Sequence, residues 1–344
     1  MSDMQQANRM FFIVGRGRSG TTLLSHILRA HTELSVAPEA LFVLLLRGRY
    51  GRIVWNERIA SQFARDIWLE ERLGRWKLEH APLERRLTDL SRTNPEYARM
   101  CAEIYLADAE GRGKNAGVML GDKNPHYSLY VRELAELFPT ARFIHLTRDY
   151  RDNILSFRSV RFDLSTISAL AYRWRRYNQE IIDAAERIPD RFLSMRFEDL
   201  LLRQEASTER LCRFLGVKFE PEILERYQHE EALSAWHQHI LNPLDPAQAS
   251  KWKSSMVSRD VAIADRICQP LGRRLGYEPA TVASHPSRLR LFPGILQGWA
   301  FTELERIVFR LPLFVRTFVL RTYRAITGSR GAHETKARAI SRSS

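Results

Sequence analysis

Cysteine is scarce: Cys101, Cys212 and Cys268 lie far apart, with no C-x-x-C pair and no short Cys/His cluster. That excludes a disulfide scaffold and a cysteine-built zinc site as organising features. Nowhere does the chain run about eighteen uncharged apolar residues, which a membrane-crossing helix needs. Met1 to Asn8 is polar and offers no apolar leader core. A cytoplasmic protein, at most attached to a membrane peripherally, is the expectation. Lysine is equally rare, with seven among the 53 basic residues, so arginine carries nearly all the positive charge. The sequence contains no internal repeat and no long low-complexity tract.

Otherwise the composition is that of a globular protein. Of 344 residues, 44% are hydrophobic, 27% charged and 10% aromatic. These values exclude a mostly disordered, collagen-like or fibrous chain, and the length suits one large α/β unit with additions. The net charge of +13 is unevenly placed: residues 286–344 hold eleven Arg and Lys against three acids, a net +8, which leaves +5 for the other 285 residues. A near-balanced body with a basic tail argues against nucleic acid as partner and for a surface-seeking appendage.

Short apolar runs alternate with helix-period segments. Met10 to Val14 reads as a strand ending at Gly15, and Thr21 to Arg29 as a helix with Leu23, Leu24, Ile27 and Leu28 inward. Residues 40–111 read as a mostly helical insertion, with a break at Pro82 and a start signal at Thr93-Asn94-Pro95. Further strands are expected at Val118 to Gly121, Arg142 to Leu146 and Phe192 to Met195. The helices between them are expected at Tyr127 to Phe138, from about Asp149, at Ser165 to Arg187 and at Glu205 to Leu215. Strands separated by helices indicate a central parallel sheet in a three-layer, P-loop-like α/β fold.

Gly15-Arg16-Gly17-Arg18-Ser19-Gly20-Thr21-Thr22 has the spacing of a phosphate-binding loop that opens a helix. Unpaired backbone N–H groups and the helix dipole favour an anion there, and Ser19, Thr21 and Thr22 add hydroxyls. A nucleotide triphosphatase places lysine after Gly20, whereas Thr21 stands there. A second basic element follows the third expected strand, with Arg148 at its end and Ser156 eight residues on. The ends of two parallel strands can bring both elements to one ligand.

Together these segments resemble the PAPS-dependent sulfotransferases, which use 3′-phosphoadenosine-5′-phosphosulfate. Arg18-Ser19-Gly20-Thr21-Thr22 is similar to the family's loop for the 5′-phosphosulfate, and Arg148-Asp149 through Ser156 to its 3′-phosphate signature. Pro38-Glu39 resembles the element that carries the catalytic glutamate in tyrosylprotein, carbohydrate and bacterial relatives. Asp122-Lys123-Asn124-Pro125 resembles a segment whose lysine sits beside the transferring group, and Ser250-Lys251-Trp252 one that closes over the nucleotide. Three of the seven lysines fall in these last two segments. Where the tyrosylprotein branch often has tyrosine, Phe197 can stack or pack but has no hydroxyl.

The resemblance implies in-line transfer of a sulfuryl group to a hydroxyl or amine, with PAPS as co-substrate and no metal. Glu39 is then the base, its pKa raised toward neutrality by the apolar Leu41 to Leu46, and Lys123 and Arg18 are the electrophilic pair. The donor-binding set comprises Arg18, Ser19, Gly20, Thr21, Thr22, Arg148, Ser156, Phe197, Lys251 and Trp252. His126 stands as an alternative base or as helix-start packing, and His26 and His31 as structural. A kinase-like P-loop protein and a silent binding protein on the same scaffold are the competing readings. The acceptor is left open among carbohydrate, protein tyrosine, lipid and phenolic metabolite.

Residues 1–285 form the expected catalytic unit and 286–344 an extension. From Glu303, Arg306, Arg310, Thr317, Arg321 and Arg324 recur at helical spacing against apolar residues such as Ile307. An amphipathic basic helix kinked at Pro312 is expected, resting through residues 295–328 on a membrane surface or a second subunit, or packed onto the catalytic body.

Overall fold

A computed structural model describes residues 9–160, 163–227, 249–280, 286–311 and Val315. Five short strands build one all-parallel sheet: β1 (Met10–Val14), β2 (Leu34–Ala37), β3 (Met119–Lys123), β4 (Arg142–Thr147) and β5 (Phe192–Arg196), in the order β2-β3-β1-β4-β5. From β1 the chain first builds one side of the sheet and then crosses to the other. The topological switch therefore falls at β1, where ligands of open parallel sheets bind beyond the strand C-termini. Ile13 pairs with Lys123, Ala37 with Asp122, Val14 with His145 and Thr147 with Arg196, so all five strands end along one edge.

Helices cover both faces, as a buried parallel sheet requires. Alternation along β1 sends Phe11 and Ile13 to one face, where they meet Leu24, Ile27 and Leu28 of α1 (Thr21–Arg29). Met10, Phe12 and Val14 face the opposite way. Against them packs the helical insertion: α2 (Phe42–Tyr50), α3 (Glu57–Asp66), two short 3-10 turns, α4 (His80–Ser91) and α5 (Tyr97–Gly111). The chain continues through α6 (Val131–Leu137), α7 (Tyr150–Arg158), α8 (Ile167–Ala185), α9 (Phe197–Leu202), α10 (Gln204–Leu215), α11 (Ser258–Cys268) and α12 (Arg288–Arg310), with single helical turns between.

Several expectations need correction. The sequence reading contained no strand between α1 and Pro38, yet β2 lies there, and it carries Glu39 to the sheet edge. β3 extends two residues beyond Gly121 because its polar end is paired on both sides, by β1 and by β2. The expected helix at 127–138 is divided into a 3-10 segment (Pro125–Leu129) and α6. Pro82 does not break the insertion. It sits in the first turn of α4, where the missing N–H has no helical partner to lose. Pro312, Thr317, Arg321 and Arg324, and with them the expected kink, lie outside the described residues. Arg306 is not a free cation of the polar stripe: it faces Glu180 of α8 and Glu303, each at 3.7 Å.

Candidate active site

The loop between β1 and α1 brings backbone donors to the switch point. No side chain caps α1, so its first N–H groups remain available to an anion. Arg18 and Gly20 both adopt left-handed conformations, with φ of 66° and 87°. Glycine is required at the second, because a Cβ there would collide with the ring of Phe197. Ser128 fixes the near end of the loop, accepting from Gly15 N at 2.9 Å and donating to Gly15 O at 3.0 Å. Asn153 of α7 fixes the middle, donating to Gly17 O and to Ser19 Oγ. Arg16 is not a ligand-facing cation: it is buried, donates to Leu170 O and pairs with Asp163 at 3.2 Å. Burial lowers its pKa to about 10.

Arg148 and Ser156 meet the same loop, as the spacing predicts. Arg18 Nε donates to Ser156 Oγ at 2.9 Å, and Arg148 Nη1 to Arg18 O at 3.3 Å. The Arg148 guanidinium lies 4.8 Å over Phe197, and its backbone carbonyl accepts from Trp174 Nε1. Burial lowers the pKa of Arg148, and burial together with Arg148 lowers that of Arg18. Both shifts follow from loss of solvent; Arg18 also feels the Arg148 charge, whereas Asp152, Glu198 and Asp149 work against the shift of Arg148. Phe197 is buried beneath Gly20 and Arg148. It forms the floor of the loop, so of stacking and packing, the two roles open to it, the structure shows packing.

Lys123, at the end of β3, is buried beside α1. Its Nζ donates to Thr22 Oγ1 at 3.2 Å and forms a tight ion pair with Glu39. Asn124 Nδ2 and Tyr127 Oη both donate to the Ala40 carbonyl, which pins the backbone next to Glu39. The sequence expectation for Glu39 is reversed in sign. Burial does push its pKa up, but the Lys123 ammonium and its hydrogen bond outweigh that, with Arg72 and His126 adding to them, and the group titrates below the ordinary 4.5. Asp122 goes the other way: burial, with Glu39 nearby, raises it to about 7 against the hydrogen bond from Tyr105. Burial lowers His126. His31 is tied to Lys218 O and Glu33 N, a structural role.

Arg18 and Lys123 take different partners, Ser156 for one and Glu39 with Thr22 for the other. Lys251 is exposed. The backbone N–H of Trp252 donates to Asp152 at 2.8 Å, and its ring lies 3.8 Å from the Arg151 guanidinium, so this element rests on α7 near Ser156. Among the described residues no cluster of His, Cys, Asp and Glu could hold a metal ion. Asn124, Tyr127, Ser128, Asn153 and Arg16 were not among the expected site residues. Asn153, one turn ahead of Ser156 on the same helix, had a usable signal in that spacing.

Residues 11–221 match the family model described as "Sulfotransferase family". The chain is 27% identical over 289 residues to protein-tyrosine sulfotransferase 1 of Danio rerio, covering 78% of this chain and 72% of that protein. It is 26% identical over 280 residues to protein-tyrosine sulfotransferase A of Caenorhabditis elegans, covering 78% and 67%. Two solved structures share the fold. The sulfotransferase domain of the Synechococcus PCC 7002 olefin synthase has a TM-score of 0.53 at 23% identity, with 75% and 94% of the two chains covered. The sulfotransferase domain from the curacin biosynthetic pathway has 0.54 at 24%, with 78% and 98% covered.

Proposed function

The chain belongs to the sulfotransferase family and transfers a sulfuryl group from PAPS to a hydroxyl acceptor, and on that premise we propose the role of each residue at the strand ends. The 5′ end of the donor takes the N-terminus of α1, with the Ser19, Thr21 and Thr22 segment and Lys123. The 3′-phosphate takes Arg148 and Ser156, with Arg18 bridging the two ends. Lys251 and Trp252 close the nucleotide side from α7. The observation that carries this reading is the convergence of Arg18, Lys123 and Arg148 on one loop whose helix start has no protein cap.

In the transfer, a bond forms between the acceptor oxygen and sulfur while the bond from sulfur to the bridging phosphate oxygen breaks, and the electron pair leaves with that oxygen. Glu39 takes the acceptor proton. Lys123 begins paired with Glu39 and turns toward the bridging oxygen as negative charge grows there, a charge-following role typical of phosphoryl-like transfer. Releasing Lys123 raises the basicity of Glu39 at the moment the proton moves.

For the acceptor we propose a tyrosyl hydroxyl in an acidic peptide context. Its support is the relatives' names and Arg72 of the insertion, whose Nη1 is buried without a hydrogen-bond partner and which acts electrostatically on both Glu39 and His126. We place the protein in the cytoplasm, a reducing compartment in keeping with three buried free thiols. Calorimetry with adenosine 3′,5′-bisphosphate and with ATP tests the donor site. The bisphosphate should bind more tightly, and Arg148→Ala should weaken it by about 10- to 100-fold, the loss of one charge-assisted contact. Equal binding of both nucleotides would favour the kinase-like alternative. Mass spectrometry of acidic peptides with tyrosine or phenylalanine at the centre, incubated with PAPS, tests the acceptor.

A further inference from the structure

Helix α12 shows its apolar side to solvent. Ten large apolar side chains are exposed among the described residues, and six of them stand on this one helix: Leu289, Phe292, Leu296, Trp299, Leu304 and Ile307. Leu289, Phe292, Leu296 and Trp299 follow one another at three- and four-residue steps, and Ile307, two four-residue steps beyond Trp299, shares their face, with Leu304 at its flank. The 23 residues extend about 34 Å at 1.5 Å each. No helix among the described residues is long and apolar enough to cross a membrane.

The opposite face explains why this one is outward. A Cβ at Gly294 would overlap the Ser168 side chain, and one at Gly298 would lie 2.8 Å from Ala169 O, so the two glycines let α12 close directly onto α8. Polar contacts then lock its rotation. Arg173 pairs with Glu305 at 3.0 Å, Tyr177 Oη donates to Glu305 Oε2 at 3.2 Å, and Phe309 stacks on Tyr130 at 4.8 Å. The helix cannot roll to bury Phe292, Leu296 and Trp299 without breaking this seam. Arg290 and Arg310 are exposed near its two ends.

We propose that the outward face of α12 docks on an anionic phospholipid bilayer, the helix lying in the plane of the interface with its apolar row among the acyl chains. Charge selects this occupant over a second copy. The sequence of residues 286–344 carries a net +8, and α12 itself has four arginines against two glutamates, a basic balance that suits an anionic surface better than a second basic copy. Bulky apolar side chains with tryptophan among them, beside basic residues, suit the headgroup and acyl boundary.

The test uses the full chain and sedimentation with phosphatidylglycerol or phosphatidylcholine vesicles at low salt. Binding to phosphatidylglycerol should exceed that to phosphatidylcholine by at least about tenfold, and Phe292→Ser/Leu296→Ser/Trp299→Ser should lower it by at least about tenfold. Melting and bisphosphate binding should be unchanged. Should the triple variant lose its cooperative melt, Trp299→Ser alone gives the same readout. Absence of binding by the unaltered chain overturns the proposal, as does undiminished binding by the variant. So does a lipid-free dimer, seen by light scattering, that the substitutions convert to monomer.

Discussion

At the scale of single residues, the Lys123 ammonium sets the titration of Glu39 and burial that of Asp122. Lys123 holds Glu39 below the ordinary 4.5, so kcat/KM should stay level toward acid and fall only below that value. In Lys123→Met the ammonium is gone and only Arg72 and His126 still oppose burial, so the residual activity should begin to fall at a higher pH; paired pH-rate profiles check the direction. Glu39→Gln should lower kcat by about 10²- to 10⁴-fold, the worth of a positioned base, with calorimetry showing bisphosphate binding intact. Asp122 has the opposite linkage. Its carboxyl titrates near 7 in the folded chain against an ordinary 3.8, so between those values the folded state holds the extra proton and stability declines as pH rises. Asp122→Asn can still accept from Tyr105 and should flatten that decline in denaturation midpoints measured from pH 4 to 7. Legibility at this scale followed chain locality. Arg18 to Thr22, Lys123, Arg148 and Ser156 were readable because each motif is contiguous. The sign of Glu39 was not, since its counter-charge arrives from a residue 84 positions away. The role of Phe197 stayed open between stacking and packing for a related reason: nothing near it in sequence says that its ring lies under Gly20.

At the scale of elements, the Glu39 segment is only as fixed as its attachment to the end of β3. Two donors hold the Ala40 carbonyl, Asn124 Nδ2 at 3.2 Å and Tyr127 Oη at 3.1 Å. Removing either should cost about 1 kcal/mol. Asn124→Ala with Tyr127→Phe leaves a buried carbonyl without those partners, so the double variant should lose more than the sum of the singles, read by urea midpoints and by a fall in kcat with bisphosphate binding retained. Four of the five strands were legible as short apolar runs between helices, and α1 to the residue. β2 was not, because Leu34 to Ala37 is only four residues long and its alternation is too brief to distinguish from a loop. Its existence follows from pairing with β3, which no local pattern records. Of the tail helix expected from Glu303, only the stretch to Arg310 falls on α12, whose start at Arg288 and whose rotation were not legible. Gly294 and Gly298 decide which side meets α8, and glycine reads as a weak helix former until the partner surface is known.

At the scale of the whole molecule, the sheet assembles positive charge that is completed only by the donor. Arg18 and Arg148 come from elements 130 residues apart and are forced together where β1 and β4 end, partly buried. Burial depresses the pKa of both guanidiniums, and for Arg18 the Arg148 charge adds to it. A ligand anionic at both ends offsets this clustered positive charge, so adenosine 3′,5′-bisphosphate should stabilise the fold, by about 2.7 kcal/mol at a hundredfold excess over Kd as for any ligand of the folded state. The relief is electrostatic and should therefore shrink in salt. At about 1 M, where the screening length falls to about 3 Å, the exposed share of the attraction is lost through a weaker Kd. A thermal shift at fixed ligand should diminish accordingly, while the melt of the ligand-free protein moves less. Arg148→Ala separates this from simple loss of structure: its ligand-free melting temperature should fall less than its ligand-bound one. An equal drop in both states would mean that Arg148 serves the fold and not the donor.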